Sequence, residues 1–449
     1  MITDHVVRVG FVILACLLLA TLVLVPAQGA TYYVTMSGSD ANPGTEAQPW
    51  RTIQKAAATL IAGDTVYVKA GTYNEKVFPQ NSGGPGNYIT YTAYPGHTVT
   101  LDGTNITPDW GDALFTIDGN SYIKISGFRI INSLSPHTSG GVALKKGSQQ
   151  DHIVIENNYF HNISGPAIGG YSCDNLIIDN NEITEVNVGE GPESPGSGEA
   201  ISLTDIHTFE IKNNHIHHTY KEGIDPKESS NGRIYKNHIH HIARIGIYLD
   251  AWGGPEHDID IYQNVVHDNG DHGISLAIEQ KEGSLKNISI YNNIVYNNGG
   301  GGIVISSYDF PTPRENIKIV NNVCYNNKHG IGIGDVLVED SIIRNNICSN
   351  NQGYQLASDS PSMVTIEHNL IDGSTQIYGD DAIIGDPKFV NPSEADFHLK
   401  EDSPAIDNGS AVDAPGDDFD GNPRPQGAGY DIGAFEFMET GVNGPSNGK

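Results

Sequence analysis

Residues 153–160 read IVIENNYF, and residues 176–183 read LIIDNNEI. The same phrase is a β-branched run closed by Asn and reopened by apolar residues. It returns as FEIKNNHI (209–216), RIYKNHI (233–239), IDIYQNVV (259–266), ISIYNNIV (288–295), IKIVNNVC (317–324), SIIRNNIC (341–348) and TIEHNLI (365–371). Its anchor is a series of asparagines, Asn158, Asn181, Asn214, Asn237, Asn264, Asn293, Asn322, Asn346 and Asn369, at intervals of 23, 33, 23, 27, 29, 29, 24 and 23 residues. The one long interval carries an insertion from Val186 to Gly198, rich in Gly, Pro and Ser. Self-similarity at such a period marks a solenoid of stacked supersecondary units.

Each unit holds a second short strand opened by glycine, at Gly223, Gly246, Gly273 and Gly302, each followed by Ile. Short strands with no helix between them exclude a βαβ fold. They predict coils that pair in parallel with their neighbours at about 4.8 Å. Asparagines stacked at one bend hydrogen-bond along the axis, which explains their recurrence where the chain turns. Cys324 and Cys348 each follow a ladder asparagine by two residues, so they are expected side by side in adjacent coils as stacked thiols or a strained bridge. The pattern over residues 91–390 resembles the right-handed parallel β-helix proteins of the pectate lyase-like superfamily. The resemblance implies an all-β, right-handed coil of about ten turns.

The flanks fit that reading. Arg8, an apolar run from Phe11 to Val25 and small residues up to Ala30 resemble a secretory signal over residues 1–30, with an uncleaved anchor as the competing reading. Residues 31–90 are expected to form an N-terminal cap and the first coils. There Ile53, Ala57 and Leu60 share one face of a short helix that covers the open end. Residues 391–437 read as a closing segment and 438–449 as a flexible tail.

Lysine and arginine number 25 against 54 acids, a net charge of −29. No global basic field exists to release counterions, so nucleic acid is excluded as a general partner, and so is an anionic membrane once the signal is removed. The expectation is a secreted monomer. Within Ile211–Leu249, however, six basic residues (Lys212, Lys221, Lys227, Arg233, Lys236, Arg244) meet three acids (Glu222, Asp225, Glu228). Such a patch suits an anionic polysaccharide.

Aligning the glycine-led strands stacks Glu199 on Glu222, Lys221 on Arg244, Lys227 on Asp250 and Trp252 on Glu279. Period-two alternation points Asp225, Lys227, Tyr248 and Asp250 away from the core, onto an exposed groove walled by the insertion. The segment from Glu222 to Lys227 resembles two families. In mannuronan epimerases an Asp-Pro precedes a catalytic His; here Asp225-Pro226 matches, Lys227 takes the histidine position and Glu222 that of a tyrosine. In chondroitinase B-type and alginate lyases a glutamate five residues before a lysine ligates Ca²⁺ and the lysine is the base; Glu222 and Lys227 match, while Asp250 stands where the next coil supplies an arginine.

The lyase resemblance implies a secreted polysaccharide lyase that cleaves a uronate-containing glycan by β-elimination. Lys227 would be the base, Arg244 would neutralise the uronate carboxylate and Tyr248 would protonate the leaving oxygen. Glu199, Glu222 and Asp225 would hold Ca²⁺, and Lys221, Trp252 and His272 would bind substrate. Alternatives remain open: a glycoside hydrolase using Asp250 and Glu279, a uronan epimerase, or a non-catalytic adhesion solenoid. A structural ion pair of Lys227 with Asp250 is a further alternative. The histidines His215, His217, His218, His238, His240, His241 and His267 are either a stacked ladder or a metal site, with His217, His240 and His267 in equivalent places.

Overall fold

The computed structural model describes residues 29–438 except 107, 108, 110, 135–139, 189–197, 307–311, 313, 335 and 360–362. The signal and tail readings, and most of the Val186–Gly198 insertion, lie outside the described residues. The chain is a parallel β-solenoid of about ten turns. One sheet of 22 strands and one of 13 run along the axis, and a two-stranded antiparallel pair follows them. Every pairing in the two long sheets joins a strand to its equivalent in a neighbouring coil, as in Ile153↔Leu176, Leu176↔Phe209, Phe209↔Gly232 and Gly232↔Ile259. No helix among the described residues is long and apolar enough to cross a membrane.

Alternation produces the core. In each coil the β-branched residues at every second position face inward, so Ile155, Ile178, Ile211, Ile234, Ile261, Ile290 and Ile319 are completely buried. The parallel register places like on like, and the interior is one continuous apolar column.

The expected ladder is present. The amide nitrogen of each ladder asparagine donates to the side-chain oxygen of the next, from Asn158 to Asn181 at 3.1 Å through Asn346 to Asn369 at 3.0 Å. Each also donates to a backbone carbonyl one coil back, as Asn264 does to Ile234. These bonds satisfy buried polar groups that water cannot reach. Residues ahead of the ladder, such as Asn157, Asn180, Asn213 and Asn292, take φ near +50° to +57°, a conformation that asparagine tolerates better than most residues. A second ladder runs through Asn269, Asn298, Asn327 and Asn351 to Gln355. It lies five residues after four members of the first, an offset legible in the sequence but not read there.

The N-terminal helix spans only Ile53–Ala57, is capped by the Thr52 hydroxyl and buries Ile53, Ala56 and Ala57; Leu60, completely buried, lies just past it. Cys324 and Cys348 are directly paired across adjacent strands and both remain free thiols. After Ile384 the chain leaves the solenoid and packs along its flank. There Arg424, with a fully buried side chain, bonds Glu436 at 2.7 Å and Asn292 at 3.1 Å.

Candidate active site

Three strands build the site. Residues 201–204 of Ile201–Lys212, then Ile224–Lys227 and Ile247–Asp250, lie side by side with Ile201↔Ile224↔Ile247 in register. Counting three places on puts Thr204, Lys227 and Asp250 in one column, followed by Ala277. The predicted stacking of Lys227 on Asp250 is therefore present. Together with Glu199, Lys221, Glu222, Glu228, Arg244, Tyr248, Trp252 and Glu279, they line an open cavity of about 530 Å³.

Lys227 is the hub. Its amine bonds Asp225 and lies 3.3 Å from Asp250 Oδ2 and 3.4 Å from Glu199 Oε1. Burial alone would push the amine's pKa down. The carboxylates of Asp225, Glu199 and Asp250 outweigh burial and hold it above its ordinary range, so the amine is charged. One coil repeats the next at the rim: Lys221 lies 3.4 Å from Glu199, and Arg244 lies 3.2 Å from Glu222. Burial would raise the Glu199 carboxyl, but Lys227, Lys221 and the Ser202 hydroxyl keep it low.

One expectation needs correcting. Asp225, Tyr248 and Asp250 were expected on an exposed face, but they are 0%, 5% and 2% exposed. They point away from the apolar column, yet the charged cluster covers itself, because each ion is packed against its counter-ion. Burial lifts the Asp250 carboxyl to about 6, against the opposing pull of Lys227 and with help from nearby Glu279. Tyr248 donates its hydroxyl to Glu279 at 2.5 Å. Trp252 stands at the edge, 47% exposed.

A second correction concerns His272. It does not line this cavity. Its Nδ1 accepts from the Gly301 N–H at 2.7 Å, and it lines a separate hollow further along the axis with Tyr354 and Asp359. The reason is position: Ile245 holds the equivalent place between Glu222 and His272, so the charged column stops one coil earlier.

Sequence reasoning missed Glu256. It pairs with Leu285, and that residue pairs with Arg314, so Glu256 sits in an interior column. Both its carboxylate oxygens are buried without a hydrogen-bond partner. Burial, then the charges of Asp225 and Asp250, push its pKa well above the usual carboxylate range, so it is a neutral acid beneath the site. An acid at an inward position of the alternating run was the available signal.

The cluster has oxygen ligands to spare. Glu222 Oε2, Asp225 Oδ1 and Asp250 Oδ1 are buried and unpartnered. Oxygen donors suit a hard cation such as Ca²⁺, but these three carboxylates are not among the groups of described residues whose ligand atoms all lie within 4.8 Å of one another. Of the three proposed ligands, Glu222 and Asp225 each have such an oxygen, whereas Glu199 is engaged on both: Oε1 by Lys221 and Lys227, Oε2 by Ser202.

Comparison with known proteins follows the same line. A family model described as "Pel9A-like, right handed beta helix region" matches residues 32–187, and one described as "Right handed beta helix region" matches residues 113–277. The chain is 29% identical over 288 residues to an uncharacterized protein, YwoF, of Bacillus subtilis, covering 56% of this chain. It is 29% identical over 163 residues to pectate lyase PEL9 of Emericella nidulans, covering 33% of this chain. It spans 59% and 38% of the lengths of these two relatives. Among solved structures, XylC in complex with xylose superposes with a TM-score of 0.60 at 14% identity, over 91% of this chain and 98% of that one, a likeness of fold.

Proposed function

We propose, for a chain that belongs to the right-handed parallel β-helix superfamily, that it is an exported carbohydrate-active enzyme that cleaves a uronate-containing polysaccharide by β-elimination. The observation that carries this reading is the Lys227 amine, held among Glu199, Asp225 and Asp250 on the floor of an open groove with Lys221 and Arg244 on its rim. A family model named for Pel9A and a relative named as a pectate lyase support it.

The α-proton of a uronate becomes acidic only when its carboxylate is neutralised. Arg244, 59% exposed, and Lys221 are the cations placed to receive that carboxylate. Lys227, charged in the resting cluster, would first release its own proton to the groove solvent and then take the α-proton as a neutral amine. Tyr248 delivers a proton to the departing oxygen, and its own hydroxyl is oriented by Glu279. Trp252 offers a flat apolar face to the sugar. Asp225 and Asp250, two of the acids held against Lys227, would offer their unpartnered oxygens to Ca²⁺. Bound there, the ion would supply the positive charge that these carboxylates now draw from Lys227.

A second reading, glycoside hydrolysis, is favoured by a different observation. The Asp250 carboxyl at about 6 stands near Glu279. A carboxyl raised above its usual range beside a second carboxyl is the kind of pair that glycosidases use.

Incubation with uronate polymers and with neutral glycans distinguishes the two. Elimination yields an unsaturated product that absorbs in the ultraviolet. Hydrolysis yields reducing ends without that absorbance and would overturn the lyase reading.

A further inference from the structure

Away from the groove, on the 13-stranded sheet, three successive coils place imidazoles in adjoining columns. Glu182, His215 and His238 form one, and His217, His240 and His267 form the next. The rings stack face to face: His215 on His238 at 5.0 Å and 8°, His217 on His240 at 5.3 Å and 6°, and His240 on His267 at 5.0 Å and 16°.

Stacking alone would leave the ring nitrogens pointing to solvent. Here they converge in pairs along a diagonal. His215 Nε2 meets His240 Nε2 at 2.9 Å, and His238 Nε2 meets His267 Nε2 at 2.8 Å. Two such nitrogens at this distance need a proton or a cation between them. Ring nitrogens of His215, His238 and His240 fall within 4.8 Å of one another, and a second group of the same span joins Glu182, His215 and His217. Nitrogens sharing a tetrahedral ion at about 2.0–2.1 Å stand roughly 3.3 Å apart, so His215 and His240 need to part by only a few tenths of an ångström while His238, within 4.8 Å of both, closes in.

We propose that this ladder binds a nitrogen-preferring divalent cation of the Zn²⁺, Cu²⁺ or Ni²⁺ class, held by His215, His238 and His240 with Glu182 and His217 as the adjoining ligands, and so clips successive coils together on the face away from the substrate groove. Imidazole ligands select these ions over Ca²⁺ and Mg²⁺. In each close contact one ring donates its Nε2 proton to the other, and that proton would leave or move to Nδ1 when the ion binds.

The test is calorimetric titration of the full chain, stripped with chelator, with Zn²⁺ at neutral pH. The expected result is saturable binding that raises the thermal midpoint. His215→Gln removes the ligand common to both groups and should weaken binding at least about tenfold, since even outer-shell partners of a metal site are worth that much. Should His215→Gln fold poorly, His238→Gln, at an exposed position, gives the same readout. A groove variant, Glu222→Gln with Asp225→Asn, should bind Zn²⁺ like the parent. Absence of saturable binding, unchanged affinity in a folded histidine variant, or loss of binding in the groove variant each overturns the proposal.

Discussion

Lys227 Nζ lies 3.3 Å from Asp250 Oδ2 across two adjacent coils, and the same amine also serves Asp225 and Glu199. One ammonium thus contacts three acids that are at most 5% exposed, and shares only Glu199 with a second cation, Lys221. Removing the cation from a buried ion cluster costs about 3–5 kcal/mol, because the acids are left uncompensated. Truncation to alanine therefore confounds catalysis with stability.

Lys227→Arg separates the two. The guanidinium keeps the charge that the acids require, but it cannot act as a base near neutral pH. The expected outcome is a thermal midpoint close to that of the parent with turnover reduced at least about a hundredfold, the low end of what a general base contributes. Lys227→Ala should lose both. Melting curves and initial rates on the same preparations check this. Full activity in Lys227→Arg would reduce Lys227 to a structural counter-ion.

Glu256 sets a pH dependence. Its carboxyl and that of Asp250 titrate above their unfolded values, Asp250 at about 6 against 3.8. The folded chain therefore holds protons that the unfolded chain has released. The contribution of each group to stability is fullest at low pH and falls as pH rises, for Asp250 between about 4 and 6 and for Glu256 above its usual range as well. Glu256→Gln keeps the shape of the neutral acid without the titration. Its midpoint should exceed that of the parent by a margin that grows from acid to neutral pH. A constant margin across that range contradicts the assignment of a neutral Glu256.

The asparagine ladder carries stability. Asn264 receives bonds from the Asn237 side chain and backbone N–H, and donates to Asn293 and to the Ile234 carbonyl. Asn264→Ala leaves several buried groups unpaired, at about 1–3 kcal/mol for each one that water cannot reach. Denaturant titration should show a loss of at least about 2 kcal/mol. Asn213→Ala, at an exposed position beside the ladder residue Asn214, loses a surface bond to Asp179 and a favoured left-handed backbone and should show less; equal losses would argue against the ladder as the main source.

Trp252 tests the sugar platform. Being about half exposed and at the cavity edge, Trp252→Ala should raise KM several-fold while leaving kcat and the thermal midpoint nearly unchanged. A fall in kcat at constant KM would place the indole in the chemistry instead.

Much of this was legible in the sequence, for a geometric reason. In a parallel in-register solenoid, sequence spacing is spatial position, so Asn158 through Asn369 announced their ladder, and Lys227 announced Asp250 as its neighbour in the next coil. Cys324 beside Cys348 and the stacking of His217, His240 and His267 followed from the same arithmetic. Burial was not legible. Alternation says which way Asp225 and Asp250 point, but not that an ion cluster will bury itself. Nor does alignment by column say that Ile245 interrupts the row between Glu222 and His272. The diagonal meeting of His215 with His240 depends on side-chain rotation, which no column count contains.

In the proposed reaction Lys227 is a base whose charge the surrounding acids control. Its most direct measurement is ultraviolet absorbance during incubation of parent and Lys227→Arg with a panel of uronate polymers, in Ca²⁺ and in chelator. Unsaturated product is expected from the parent in Ca²⁺, and little from the chelated parent or from Lys227→Arg. Reducing ends released without absorbance, insensitive to chelator and to Lys227→Arg but abolished by Asp250→Asn, would contradict that reaction.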